Sequence, residues 1–157
     1  MNQIKVAYGK GSISLNADPQ VAEWTSIRPK FKPAFPSPES GFRQAVANPI
    51  GTDPLVELIK PSDKVVIVTS DGTRPVPNRL LIPWLLDTLP VPVENVTVLI
   101  GTGTHRPNTD QEIATMFGQD LAGRLRIVNH DAFDPNSNIK LGQIASGTDA
   151  TLDRAYI

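Results

Sequence analysis

The sequence contains no cysteine, no excess of either charge and no long apolar run. Without cysteine among its 157 residues, the chain cannot form disulfide bonds, thiolate metal sites or a cysteine nucleophile. Fifteen Lys and Arg residues balance sixteen Asp and Glu residues, so the chain lacks the positive field that attracts nucleic acid or anionic lipid. No stretch approaches the about 20 apolar residues of a membrane span, and none resembles a signal peptide. We therefore expect a cytoplasmic protein without a nucleic-acid or membrane partner.

The remaining composition is typical of a folded domain. Hydrophobic residues make up 39% of the chain and charged residues 20%. This length suits one domain with its own core, here residues 1–157. Proline is the exception, because fifteen residues are proline where a share of about 5% is usual. Four of them lie between Pro29 and Pro38, which predicts an extended surface strap rather than a ligand for a proline-recognition module.

Hydrophobic patterns along the chain predict an α/β fold. Period-two alternation in residues 4–8 and 12–15, around a glycine-containing turn, predicts an N-terminal β-hairpin. Continuous β-branched runs at residues 65–68 and 96–100 predict strands that are buried on both faces of a parallel sheet. Residues 124–128 predict a third parallel strand. Four helices are also predicted: at residues 38–47, after Asp53-Pro54, at residues 77–89 with a kink at Pro83, and from Thr109 to near Gly118. A terminal β-ribbon is predicted at residues 139–141 and 148–152. Together they predict a Rossmann-like, mostly parallel sheet with flanking helices.

Three of the predicted helices begin with a capping signal. Ser37 and Asp53 each stand before a proline, where a side-chain oxygen can accept a free amide of the first turn. Thr109 and Glu112 have the spacing of a capping box, in which each side chain satisfies an amide near the helix start.

The loop after the first parallel strand combines charge with a stiff backbone. Residues 70–77 read SDGTRPVP, where Gly72 permits a tight turn and two prolines restrict the chain. Arg74 on this support can bind a carboxylate or phosphate with two parallel hydrogen bonds. Asp71 can orient a cation or accept a hydroxyl proton. The alternative is that Asp71 and Arg74 pair with each other and only hold the turn.

The loop after the second strand is rich in glycine and contains a histidine. Residues 101–107 read GTGTHRP, and their backbone amides can approach an anion at the start of the following helix. His105 is a candidate base because its ring titrates near neutrality, although such a residue also serves simply as a hydrogen-bonding group. The run lacks the third glycine of a dinucleotide fingerprint, which Arg106 replaces. Because parallel strands end at the same sheet edge, we expect Asp71, Arg74, His105 and Arg106 to gather there.

The second histidine follows the third strand. His130 is a candidate for proton transfer or phosphate binding, and alternatively for a supporting or capping role. The sequence has no His-x-His or His-x₃-His spacing that would preform a metal site. We therefore expect no metal ligand from this chain.

Two motifs in a fixed order make the sequence similar to a known family. They are SDGTRPVP at residues 70–77 and GTHRP at residues 103–107, with further agreement in NPIG at 48–51, His130, and KLG at 140–142. In these the chain resembles the N-terminal domain of the nickel-pincer-nucleotide-dependent lactate racemases. The resemblance implies inversion of a 2-hydroxy acid at its hydroxyl-bearing carbon. In that scheme a histidine takes the hydroxyl proton, and a hydride passes to the cofactor and returns to the opposite face.

The resemblance also implies roles for individual positions. His105 is similar to one of the family's two catalytic acid/bases, and Arg74 and Arg106 are the implied substrate-binding cations. The implied cofactor-binding positions are Asp71, Thr73 and Gly103. The implied partners are a small 2-hydroxy acid and the remainder of the same enzyme, its C-terminal domain.

The family's second catalytic histidine, its cofactor-tethering lysine and its nickel-binding histidine follow the terminal ribbon, beyond Ile157. We therefore expect this chain to be truncated before the tethering segment and to carry half of an active site. On its own it is expected to bind no nickel pincer nucleotide and to catalyse nothing. The alternative function, from another class, is a stand-alone module that binds a small anion or a nucleotide without catalysis.

Overall fold

The structure is a computed structural model that describes residues 3–16, 18–21, 23, 25 and 27–157. The chain divides into two compact units, Met1–Phe35 and Pro36–Ile157. None of the helices in the described residues is long and apolar enough to cross a membrane.

The first unit contains the predicted N-terminal hairpin. Strands β1 (Gln3–Tyr8) and β2 (Gly11–Asn16) pair in antiparallel register, and Tyr8 lies opposite Gly11 across the turn. Gly9 adopts a φ of 57°, a conformation that residues with a Cβ rarely adopt. Residues 27–35 form neither helix nor strand, as expected for a proline-rich strap.

The second unit is built on a parallel sheet of three strands. They are β3 (Val65–Ser70), β4 (Val96–Gly101) and β5 (Arg126–Asn129), in the spatial order β3-β4-β5. The register runs along the whole of β3, from Val65 opposite Val96 to Ser70 opposite Gly101. The predicted α/β class, its parallel sheet and the N-terminal hairpin are therefore confirmed.

Five helices accompany the sheet. They are α1 (Pro38–Ala47), α2 (Leu55–Leu58), α3 (Asn78–Thr88), α4 (Asp110–Phe117) and α5 (Gln119–Arg124). Helix α3 continues through Pro83. Helix α5 is not predicted from the sequence. It starts directly after Gly118, whose φ of 89° ends α4, so that one residue is both the C-cap of α4 and the N-cap of α5.

Two of the three predicted caps are confirmed. The Ser37 hydroxyl accepts the amide of Ser40 at 3.3 Å, and Thr109 and Glu112 form the reciprocal capping box of α4. The predicted Asp53 cap is wrong. Pro54 itself occupies the N-cap position of α2, so Asp53 stands one residue too early and no side chain caps this helix.

The core of this unit lies between one face of the sheet and helices α3 and α4. Its most buried members are Ile82, Val98, Ile100, Phe117 and Leu125. Burying each such side chain contributes about 1.5–3 kcal/mol.

After the sheet, β6 (Asn138–Gln143) and β7 (Asp149–Asp153) form the predicted antiparallel ribbon. The ribbon has a register shift between Lys140 and Gly142. A short 3₁₀ turn, Arg154–Tyr156, follows it.

Candidate functional site

The loops that follow β3 and β4 meet at one edge of the sheet. Because Ser70 lies opposite Gly101 in the register, both strands end side by side and their loops start from adjacent positions. This is the crevice in which open parallel sheets place their ligands.

The central contact of the site joins these two loops. The Nδ1 atom of His105 lies 2.6 Å from Oδ2 of Asp71, although 34 residues separate them along the chain. Asp71 is buried, with 8% of its side chain exposed, whereas 54% of the His105 side chain is exposed. The Thr73 hydroxyl donates to Oδ1 of Asp71 at 2.6 Å. The predicted convergence of Asp71 and His105 is therefore observed.

Hydrogen bonds keep the Asp71 carboxyl ionised. The Thr73 hydroxyl and then the His105 ring lower the pKa of Asp71 below its ordinary value, against the opposing effect of burial. An ionised carboxylate accepts the proton of Nδ1, so the neutral ring of His105 carries its lone pair on Nε2. This arrangement orients a base that can take a proton from a bound ligand.

Arg74 does not pair with Asp71, so the alternative in which these side chains hold the turn is wrong. Their link is between backbones, the amide of Arg74 donating to the carbonyl of Asp71 at 3.1 Å. Within the described part of the chain, the exposed Arg74 guanidinium makes neither a side-chain hydrogen bond nor an ion pair. Its charge is available to an external anion.

Arg106 is held by an acidic neighbour. Its Nη2 and Nη1 atoms lie 2.7 Å and 2.8 Å from the two carboxylate oxygens of Glu112, and Nη1 also donates to the carbonyl of Pro107. Arg106 and the amide of Thr109 lower the pKa of Glu112 to about 2, and Glu112 raises the pKa of Arg106. The Arg106 guanidinium is thus part of the start of α4, and its charge is largely balanced there.

A cleft lies against these side chains, with a volume of about 490 Å³. Its wall combines the two loops with α4, and lining residues include Asp71, Thr73, His105, Arg106, Gln111 and Met116. The volume falls within the range of small-molecule sites. Of the predicted site residues, Arg74 and Gly103 do not line the cleft. Arg74 is on the same loop as Asp71, and Gly103 forms the turn before His105 with a φ of 59°.

His130 serves a different contact. Its Nδ1 atom lies 2.7 Å from Oδ2 of Asp153, at the end of β7, and the ring is not among the residues that line the cleft. The His130 backbone is held at the sheet edge, since its amide donates to Ile100 and its carbonyl accepts the Thr102 hydroxyl. Of the alternatives for His130, this geometry favours the supporting role.

Two polar side chains that no sequence motif marks connect the loops. Asn108 and Asn129 exchange hydrogen bonds, and Asn108 also accepts the amide of Gly72. An Asn before a helix and an Asn at a strand end are common in any sequence. Only the folded structure shows that Asn108 and Asn129 contact each other.

The described residues supply no metal ligand set. They contain no group of three or more His, Cys, Asp or Glu side chains that could hold a metal ion. No lysine lines the cleft. The lining of the cleft therefore offers neither a lysine to tether a cofactor nor, within the described residues, a three-ligand metal site.

The comparisons with known proteins agree on one family. The lactate racemase N-terminal domain matches residues 8–157. Lactate racemase of Lactiplantibacillus plantarum is 37% identical over 120 residues, which are 75% of this chain and 28% of that protein. Lactate racemase of Thermoanaerobacterium thermosaccharolyticum is 35% identical over 150 residues, which are 94% of this chain and 35% of that protein.

A solved structure supports the same assignment. The lactate racemase apoprotein from Thermoanaerobacterium thermosaccharolyticum matches with a TM-score of 0.80 and 33% identity, over 97% of this chain and 36% of that one. The chain therefore spans about a third of the length of these relatives. Because the family match extends over nearly the whole sequence and the fold agrees, the chain belongs to the lactate racemase N-terminal domain family.

Proposed function

We propose that this chain forms one wall of an active site that inverts a small 2-hydroxy acid, and that His105 is one of the two acid/bases of that site. The observation that carries the proposal is the Asp71–His105 pair at the mouth of a cleft, on the loops of two adjacent strands. The names of the relatives, lactate racemases, give the class of substrate.

The geometry supports a proton-transfer role for His105. Asp71, ionised by its hydrogen bonds, holds the proton on Nδ1, so Nε2 is free to accept the proton of the substrate hydroxyl. The imidazolium that forms is stabilised by the same carboxylate, and a proton returns to the substrate oxygen as the hydroxyl is re-formed, before the inverted product leaves. Groups placed in this way contribute about 10²–10⁴ in rate.

The proposed binding partners of the substrate carboxylate are Arg74 and Arg106, of which Arg74 makes the stronger interaction. Arg74 does not line the cleft itself but lies on the same loop as Asp71, and its guanidinium, which has no competing partner in the described residues, can bind a carboxylate with two parallel hydrogen bonds. Arg106 faces the cleft but is paired with Glu112, so it contributes a weaker attraction.

The nickel pincer nucleotide implied by the family resemblance would accept and return the substrate hydride. Asp71, Thr73 and Gly103 are the positions proposed to face it. A region equivalent to the remaining two thirds of the relatives supplies its metal ligands and tether, and is the proposed partner of this chain. A cytoplasmic location, which fits a sequence without cysteine, completes the proposal. A stand-alone anion- or nucleotide-binding module is not favoured, because the match is to a racemase domain.

A chimera tests the proposal. This chain replaces the N-terminal domain of the Thermoanaerobacterium thermosaccharolyticum lactate racemase, and chiral chromatography measures the interconversion of D- and L-2-hydroxy acids. His105→Gln is expected to lower the rate by about 10²–10⁴, while Lys60→Gln, an exposed position that does not line the cleft, leaves it unchanged. A folded, cofactor-loaded chimera that keeps its rate after His105→Gln contradicts the assignment.

A further inference from the structure

We propose that Asn108, fastened by Asn129, is a positioning residue that sets the geometry of the His105–Asp71 pair. We call these two side chains the asparagine bracket. The inference rests on the proposed function of His105, and it adds a device outside the reacting groups that keeps them aligned.

The bracket spans the two loops that carry the pair. Oδ1 of Asn108 accepts the amide of Gly72 at 3.0 Å, across 36 residues of sequence. Gly72 directly follows Asp71, and Asn108 belongs to the loop of His105. One side-chain amide therefore ties the backbone next to the carboxylate to the backbone near the imidazole.

Asn129 anchors this tie to the sheet. Its Oδ1 accepts both the backbone amide of Asn108, at 2.9 Å, and the side-chain Nδ2 of Asn108, at 3.1 Å. In return its Nδ2 donates to the carbonyl of Asn108 at 3.1 Å. Asn129 is the last residue of β5, opposite Ile100 of the core. Three hydrogen bonds thus hold Asn108 against the end of β5, a strand of the central sheet.

The glycine at position 72 fits this contact. A Cβ added there would lie 3.2 Å from Oδ1 of Asn108 and 3.5 Å from Sδ of Met116, and the first distance is closer than ordinary packing. A larger residue would push Asn108 away from the amide it accepts. The absence of a side chain at Gly72 is therefore part of the same device.

Few other contacts are able to perform this alignment. Among the described residues, two hydrogen bonds join the loops after β3 and β4 directly, Asp71 to His105 and Gly72 to Asn108. The other hydrogen bonds of these loops are either internal, such as Arg74 to Asp71 and His105 to Thr102, or run from the second loop to the end of β5, and so do not join the two loops. Without the bracket, the pair would have to hold itself together, although more than half of the His105 ring is exposed to water.

The test reads the state of the His105 ring in the 157-residue chain. ¹⁵N NMR distinguishes a ring protonated at Nδ1 from one protonated at Nε2, and a slowly exchanging Nδ1 proton reports the bond to Asp71. Asn108→Leu is expected to remove the slowly exchanging proton and to convert the ring to a mixture of tautomers. The amide signals of Val98, Ile100 and Phe117 report whether the core remains folded. A ring that is unchanged in folded Asn108→Leu overturns the inference.

Two further variants keep the test independent of folding defects. Asn129→Asp keeps the oxygen that accepts from Asn108 but places a second carboxylate oxygen against the Asn108 carbonyl, so it should weaken the ring signature, as should Gly72→Ala. The matched control is Asn138→Leu, which removes an asparagine with two hydrogen bonds in the ribbon. If Asn138→Leu changes the ring as much as Asn108→Leu does, the bracket has no specific role.

The same variants in the chimera separate this inference from the proposed function. Asn108→Leu should reduce the racemisation rate by about 10- to 100-fold, as expected for a small misalignment. If His105→Gln abolishes activity but Asn108→Leu alters neither ring nor rate, the bracket is wrong and the function stands. If Asn108→Leu alters the ring and His105→Gln leaves the rate intact, the bracket stands and the function is wrong.

Discussion

The described residues contain two histidine–aspartate pairs that are nearly identical in local geometry and differ in their surroundings. His105 lies 2.6 Å from Asp71, and His130 lies 2.7 Å from Asp153. The His105 side chain is 54% exposed and lines a cleft, whereas the His130 side chain is 20% exposed and connects β5 to the end of the ribbon. The comparison teaches that the exposure of the ring and its position on the strand-end loops, rather than the pair itself, separate a candidate base from a structural contact.

The largest expected difference between the pairs is in stability. His130→Gln leaves the nearly buried Asp153 carboxylate without its ring partner, which should cost about 1–3 kcal/mol of unfolding free energy. His105→Gln also unpairs a buried carboxylate, that of Asp71, but the ring it removes is half-exposed and Asp71 keeps the Thr73 hydroxyl, so the loss should be smaller, about 1 kcal/mol or less. Urea denaturation of both variants measures the contrast. Equal losses would remove the distinction between the two pairs.

A smaller effect is expected in anion binding. The chain should bind lactate or phosphate with a Kd of about 1 mM, equivalent to about −4 kcal/mol. Chemical shift changes should be confined to residues 70–76 and 101–106 and should spare His130. Arg74→Gln should weaken binding about tenfold and Arg106→Gln less, because Glu112 already engages Arg106. An NMR titration in which the shift changes centre on His130 would show that the anion binds beside His130 rather than beside His105.

The smallest expected effect is on the stability of the fold at low pH. The pKa of Glu112 is depressed in the folded chain, from 4.5 to about 2, so the unfolded chain binds its proton more readily. The stability that Glu112 contributes is therefore present above about pH 4.5 and is lost as the pH falls towards 2. Glu112→Gln should flatten this part of the stability curve, measured by urea unfolding at several pH values. Lys140→Met, which unpairs the exposed Asp149 of the ribbon, provides the control and should flatten it less.

The elements of the fold that depend on residues close together in the sequence could be predicted. Alternation predicts the hairpin, β-branched runs predict β3 and β4, and the Thr109–Glu112 spacing predicts the capping box. The Asp53 cap fails because one residue of offset moves a side chain from the cap to outside the helix. Helix α5 is missed because Gly118 both ends one helix and begins the next.

Only those contacts of the site that follow from neighbouring strand ends could be predicted. Parallel strands place their loops together, so the approach of Asp71 and His105 follows from topology. The partner of His130 could not be predicted, because Asp153 is 23 residues away on a ribbon whose packing no local pattern specifies. The asparagine bracket depends on three segments at once, and the capture of Arg106 by Glu112 depends on how the loop folds back onto its own helix.

The carboxylate of Glu112 couples the first turn of α4 to the position of Arg106 on the cleft wall. It accepts the amide of Thr109 at the start of α4 and holds the guanidinium of Arg106 on the cleft wall. Fraying of the first turn of α4 therefore releases Arg106 at the same moment, and closing the turn captures it again. Fraying of the first turn of α4 and release of Arg106 are therefore one equilibrium. Amide hydrogen exchange at Thr109 reports how often Arg106 is released from this side of the cleft.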